Sequence, residues 1–174
     1  TTNAWILGDI DGWIVDPAAH ISSTQSELLE NVLRFKLSGI FLTHHHHDHI
    51  GAAPFLRDQL NIPIVCHPET ADLLPFEVDA LLEDGQSIGR TEEWLAIHTP
   101  GHAPGHLCLL SNYDQSLIAG DMVAGEGTIL INPSEGSIRE YLDSLNLLKE
   151  WNPSRLLPAH GKILEPAQDT LDEY

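Results

Sequence analysis

Four short apolar runs in this chain each hand over to a side chain that can bind a metal. His44 follows the run at 40–42, His102 the run at 95–97, Asp121 the run at 117–119 and His160 the pair Leu156-Leu157. A strand is rigid, so a polar group just past its end is held in place. Several such groups meet only where strand ends share one edge. The recurrence therefore demands an architecture that delivers separate strand ends to a common cleft.

The first junction is the densest. Thr43-His44-His45-His46-His47-Asp48-His49 reads as H-x-H-x-D-H. Imidazole and carboxylate are the donors of zinc, iron and manganese sites. His44, His46, Asp48 and His49 cannot all converge on one ion from a regular helix or strand, so their spacing predicts two adjacent metals and metal-dependent hydrolysis. A tag-like histidine run would lack Asp48 and would not follow a strand.

Coarse patterning places the remaining elements. Apolar runs at 4–7 and 13–15 flank Gly8-Asp9-Ile10-Asp11-Gly12, a hairpin signal. Thr24-x-x-Glu27 reads as a capping box opening an amphipathic helix through Leu28, Leu29, Val32, Leu33 and Leu37, with Gly39 as its end. A strand at 40–42, a helix at 50–60, a strand at 62–66 and a short helix at 69–74, stopped by Pro75, follow. The second half carries strands at 93–98, 107–110 and 116–119, the last two paired about Asn112-Tyr113-Asp114. A helix from Ser137 through Leu148 and a strand at 156–157 complete the order. No linker or fixed-period repeat interrupts it, so residues 1–174 are expected to form one α/β domain with antiparallel pairs.

Composition narrows the function. A 42% hydrophobic content fits a folded globule. No apolar run approaches the roughly 20 residues of a membrane span, and no secretory leader is recognisable, so the expectation is a cytoplasmic protein without a membrane partner. The chain has 26 acidic and 8 basic residues, a net charge of −18 with histidine neutral. Such a surface keeps a protein soluble and repels polyanions, which disfavours nucleic acid as a partner. Cys66 and Cys108 sit in apolar stretches without metal-site spacing and read as buried thiols of a reducing compartment. The chain opens at Thr1 and enters an apolar segment almost at once, so it is expected to be a processed or trimmed piece.

Together, the H-x-H-x-D-H cluster, Thr99-Pro100-Gly101-His102, Gly120-Asp121 and His160-Gly161 resemble the metallo-β-lactamase fold superfamily, over residues 3–165. The resemblance implies an α/β (α+β) fold, an αβ/βα four-layer sandwich with two similar halves and a dinuclear site at one edge, trimmed of the N-terminal strand that family members usually carry. Motif by motif it implies His44, His46 and His102 on a first metal, Asp48, His49 and His160 on a second, and Asp121 bridging them. Asp48 and Asp121 become the catalytic carboxylates. The two divalent ions would be zinc, with iron or manganese as alternatives. Thr99-Pro-Gly-His-Ala-Pro-Gly-His106 resembles glyoxalase-II-like hydrolases. The run Gly120-Asp121-Met-Val-Ala-Gly-Glu-Gly-Thr128 is similar to a lactamase-like subgroup that includes a metal-dependent endoribonuclease. The basic residues that bind glutathione in glyoxalase II have no counterpart, which speaks against a glutathione thioester.

A divalent ion can lower the pKa of its water from about 15.7 to about 7. A hydroxide held between two metals is then available at neutral pH, and no Ser or Cys nucleophile is required. The leading expectation is a dinuclear zinc hydrolase of a small ester, thioester or lactone-like substrate. A phosphodiesterase or endoribonuclease and an iron-dependent redox enzyme are the alternatives. Asp16, at a strand end in Val15-Asp16-Pro17, is expected to orient a metal-binding imidazole, and His106 to pack behind one. His45 and His47 alternate with the ligands and read as bystanders, and His20, His67 and His98 as structural or exposed. Gly101 and Gly120 are expected to let the backbone turn tightly beside the metals, and Gly125 and Gly127 to form a flexible rim.

Overall fold

The computed structural model describes residues 1–8, 10–90 and 93–174; Asp9 of the hairpin signal lies outside them. Two five-stranded sheets form the centre. The first runs β1 (Trp5–Leu7), β2 (Ile10–Val15), β3 (Lys36–Phe41), β4 (Ile64–Cys66) and β5 (Ala80–Leu81) in order. The second, in mirrored order, holds β6 (Ser87–Ile88), β7 (Trp94–His98), β8 (Leu107–Ser111), β9 (Ser116–Gly120) and β10 (Arg155–Pro158). Helices α1 (Ser22–Val32), α2 (His47–Ile50), α3 (Ala53–Leu60) and α4 (Pro68–Leu73) belong to the first half, and α5 (Ile138–Trp151) and α6 (Ala167–Glu173) to the second.

The two-residue side-chain period of a strand sorts the core into three slabs. Along β3 and β4, Ile40 and Ile64 point outward to Val32, Ala53 and Leu56 of the helices. Phe41 and Val65 point inward to Leu107, Leu109 and Ile118 of the other sheet. Cys108 and Leu110 of β8 face outward to Tyr141, Leu145 and Leu148 of α5 and Leu171 of α6. Helix, sheet, sheet, helix is the layer order that results, which is the four-layer sandwich the resemblance implies. Both cysteines are free and buried, and burial pushes both thiols up to about 12. Among the described residues no helix is long and apolar enough to cross a membrane.

Topology explains why the strand ends meet. β7 and β9 both run antiparallel to β8, and β10 runs parallel to β9. The C-terminal ends of β7, β9 and β10 therefore share one edge, and they carry His102, Asp121 and His160. β2, β3 and β4 are likewise mutually parallel in the other sheet, so Asp16 and His44 leave from neighbouring ends.

Three sequence expectations are corrected. The Thr24–Glu27 capping box does not form: α1 begins at Ser22 behind Ile21, and Thr24 Oγ1 donates back to the Ile21 carbonyl at 2.9 Å. That helix also stops at Val32. Leu37 and Gly39 lie inside β3, because apolar residues at 37, 40 and 42 satisfy a strand on two-sided packing as well as a helix. Gly39 is a packing position there, since a Cβ would meet the Trp13 ring at 2.4 Å. The helix expected at 50–60 begins earlier, inside the histidine cluster, and breaks where Ala52 N–H donates to the Pro17 carbonyl at 2.7 Å. The short strands β5 and β6 and the helix α6 carried no readable periodicity.

Phe41 fills the slab between the sheets and is fully buried. Phe41→Ala is expected to lower the unfolding free energy by about 3–5 kcal/mol, measured by urea denaturation.

Candidate metal centre

One carboxylate organises two of the imidazoles. Asp16 follows β2 in a left-handed conformation (φ 48°) and is buried. It accepts from Thr43 N–H at 2.8 Å, Thr43 Oγ1 at 2.7 Å and His49 Nδ1 at 3.0 Å. A carboxylate only accepts, so His49 carries its proton on Nδ1 and turns Nε2 toward the cleft. Thr43 Oγ1 donates its one O–H to Asp16, so at 2.9 Å it accepts from His44 Nδ1–H. His44 Nε2 is thereby left as a lone pair.

His46 and His102 are fixed from another direction. His102 Nδ1–H donates to the Leu130 carbonyl at 2.9 Å, and His46 Nε2–H to Glu135 Oε1 at 3.2 Å. Their remaining nitrogens, His102 Nε2 and His46 Nδ1, face each other at 3.0 Å. Two acceptor nitrogens at that distance require a proton or a cation between them.

Asp121 begins where β9 ends, and its buried carboxylate lies among these lone pairs. Its Oδ2 is 3.4 Å from His102 Nε2, 3.6 Å from His49 Nε2 and 4.0 Å from His44 Nε2. Its Oδ1 is 3.4 Å from His160 Nε2. Asp48 Oδ2 stands 3.5 Å from His160 Nε2 and 3.7 Å from His49 Nε2. Two groups result, each able to hold a cation: His44, His46, His102 and Asp121, and Asp48, His49 and His160. Zinc with nitrogen at about 2.0–2.1 Å and tetrahedral angles separates its ligand atoms by roughly 3.3 Å, which these spacings approach.

The donors also fit chemically. His44 Nε2, His49 Nε2 and Asp121 Oδ1 are buried without a hydrogen-bond partner. Each costs about 1–3 kcal/mol in that state, and all three adjoin the same space, where a cation would satisfy them. Burial, reinforced by neighbouring imidazoles, holds His44 well below the usual histidine range, and burial also lowers His102. Neutral imidazole is the form that binds metal. Asp121 is pushed up by burial, but His49 with His102 and His160 outweighs that and brings it down to about 2. His49 runs the other way. Burial lowers it, yet the Asp121 and Asp16 carboxylates on either side raise it to about 10.

The structure brings all seven expected metal-binding residues to one cleft. Asp16 and His106 stand directly behind them. His106 Nε2 accepts the Asp121 backbone N–H at 3.2 Å, so its Nδ1–H donates to Thr99 Oγ1 at 2.8 Å. Gly120, at φ 50°, permits that approach, since a Cβ would meet His106 Nε2 at 2.4 Å. At Gly101 a Cβ would strike the backbone of Tyr141 at the start of α5. Gly125 is no flexible rim: its N–H donates to the His160 carbonyl at 2.7 Å and a Cβ would meet the Lys162 carbonyl at 2.1 Å. His47 stacks on His20 and His67 on His98, so these four serve as paired rings. His45 is not a bystander, because its Nε2 lies 3.0 Å from Glu135 Oε2. Glu135 itself was unreadable in sequence, as nothing near it marks a loop that returns to the cleft.

A family model described as "Metallo-beta-lactamase superfamily" matches residues 1–160. The "Probable polyketide biosynthesis zinc-dependent hydrolase PksB" of Bacillus subtilis is 31% identical over 100% of this chain and 79% of its own. The "Atrochrysone carboxyl ACP thioesterase dmxR1" of Cryptosporiopsis sp. is 31% identical over 96% of this chain, which spans 51% of that relative. Among solved structures, the BLEG-1 B3 metallo-beta-lactamase superposes with a TM-score of 0.81 at 25% identity, covering 97% of this chain and 90% of its own.

The raised His49 gives a signed expectation. A group near 10 is protonated at pH 7, and a cation taking Nε2 must displace that proton. Metal uptake should therefore release about one proton per ion at the second group, and affinity should weaken as pH falls. Calorimetry in buffers of different ionisation enthalpy measures both. The same shift stabilises the metal-free fold below about pH 6.5, and that contribution is lost as pH rises toward about 10.

Proposed function

The chain belongs to the metallo-beta-lactamase superfamily, and from that premise we propose that it is a dinuclear zinc hydrolase of small acyl substrates, thioesters foremost, with residues 1–174 as one catalytic domain. The observation that carries the reading is Asp121. Its Oδ2 lies within 4.0 Å of imidazoles of both groups, His102 and His44 of the first and His49 of the second, and its Oδ1 faces His160 of the second. That is the arrangement a bridging ligand needs. Relatives named as a zinc-dependent hydrolase and as an ACP thioesterase, each 31% identical, support zinc and the thioester.

In this reading His44, His46 and His102 hold a first ion, Asp48, His49 and His160 a second, and Asp121 both. Ions held there would supply a lowered pKa for a bound water and polarisation of a carbonyl oxygen. The chain supplies the positioning. Asp16 and Thr43 hold His44 and His49 with Nε2 toward the cleft, and His106 holds the Asp121 backbone where β9 ends. Asp121 would offset the mutual repulsion of two cations held at these groups. Gly125, bonded to the His160 carbonyl, fixes the backbone from which that imidazole projects.

Charge disfavours the phosphodiester alternative. Against 26 acidic residues there are 8 basic ones, and Lys36, Arg57, Lys149 and Arg155 are already paired with carboxylates. Acyl-thioester, aryl-ester, lactone and single-stranded RNA substrates, tested with elemental analysis of the metal, decide among the classes. Thioester hydrolysis with about two equivalents of zinc is expected. Cleavage of RNA alone, or full activity of metal-free protein, would overturn the proposal.

Asp48→Ala removes the exposed carboxylate of the second group. It is expected to cut kcat/KM by more than the roughly 10–100-fold that loss of an outer hydrogen-bond partner costs. Steady-state kinetics on the best thioester, together with metal content, checks it.

A further inference from the structure

We propose that Glu135 is the positioning residue of the first metal position, so that the loop at 130–136 governs occupancy there separately from the second. The inference rests on the paired-ion reading above. The ring nitrogens that face away from the cleft divide between two supports. Those of His44 and His49 lead to Asp16, directly or through Thr43, on the β2 side of the cleft. Those of His46 and His102 both lead to the loop, at Glu135 Oε1 and the Leu130 carbonyl. Asp16 thus reaches one imidazole of each group, whereas the loop reaches two of the first and none of the second.

His46 depends on that support most. It stands at the N-cap of α2 in an extended conformation, with no side-chain cap bond, and its side chain is 25% exposed. Its ring meets those of His44 and His102 edge-on, at 4.6 Å each, and lacks the full burial of His44 and His49. Glu135 supplies the missing restraint. One oxygen takes His46 Nε2–H, which leaves Nδ1 pointing at His102, and the other meets His45 Nε2 at 3.0 Å. Asn132 Nδ2 donates to Glu135 Oε1 at 3.3 Å.

The loop is itself clamped. Gly136 N–H donates to the Asn132 carbonyl at 2.7 Å, and Ser137 N–H to the Gly101 carbonyl at 2.8 Å. A Cβ at Gly136 would meet that Gly101 carbonyl at 2.5 Å. The backbone just before His102 is therefore tied to the backbone just after Glu135. Both imidazoles that the loop orients are consequently held in one frame.

The test is a metal titration of Glu135→Ala, Glu135→Gln and the charge-matched control Glu126→Ala on the neighbouring exposed stretch. Zinc is titrated against a chromophoric chelator, with Asp48→Ala marking the second position. Cobalt(II) absorption reports the coordination of each ion. In Glu135→Ala the first-position affinity should fall roughly 10–100-fold, with its cobalt bands altered and the second position unchanged. Glu135→Gln, which keeps an acceptor for His46, should fall less. No change, an equal loss at both positions, or the same loss in Glu126→Ala would overturn the proposal. Urea midpoints of the metal-free proteins identify a variant that fails to fold, and the glutamine variant then decides. A wild-type chain taking up a single ion would sink the paired-ion reading, while the effect of Glu135 on that ion would still be measurable.

Discussion

The cleft depends on a buried carboxylate, Asp121, set among imidazole nitrogens whose other ring atoms are already committed. Burying acceptors against one another is unfavourable, and His44 Nε2, His49 Nε2 and Asp121 Oδ1 find no hydrogen-bond partner. In the metal-free chain a proton on His49, flanked by Asp121 and Asp16, relieves part of this. A divalent cation relieves more, because it meets several lone pairs at once. The site is thus an arrangement of groups that repel or stay unsatisfied until a cation enters.

Holding such an arrangement requires restraints stronger than the repulsion, and they come from the backbone. The parallel run of β2, β3 and β4 sets Asp16 beside Thr43 and His49. The common direction of β7, β9 and β10 sets His102, Asp121 and His160 on the opposing edge. Between the sheets the slab containing Phe41, Leu107, Leu109 and Ile118 fixes the two edges against each other. Packing there transmits to the metal-binding atoms, since a close-packed interior has little slack.

Most of the candidate metal-binding set was legible because chemistry and spacing carry it. The H-x-H-x-D-H run, and His102, Asp121 and His160 after apolar runs, need no tertiary information to be suspected. Asp16 and His106 were legible as polar residues at strand ends. Glu135 was not. It follows an irregular stretch in which neither period is visible, and its role exists only because the Gly136–Gly101 contact folds that stretch back. His45 was misread for the same reason, since alternation along the run says nothing about a carboxylate ninety positions away. The first helix was overrun into β3 because Leu37 satisfies both apolar periods.

By itself the sequence determined the donor types, their short spacing in one run, and the alternation of strands and helices that makes a layered sandwich. These are local properties, set by side-chain chemistry and by the period of apolar residues. Tertiary structure alone decided which nitrogen of each imidazole faces the cleft, and which carboxylate holds it there. That choice follows from the partner at the other ring nitrogen, and such partners come from distant strands and loops. Asp16 and Glu135, on separate elements, make it for different members of the same histidine run.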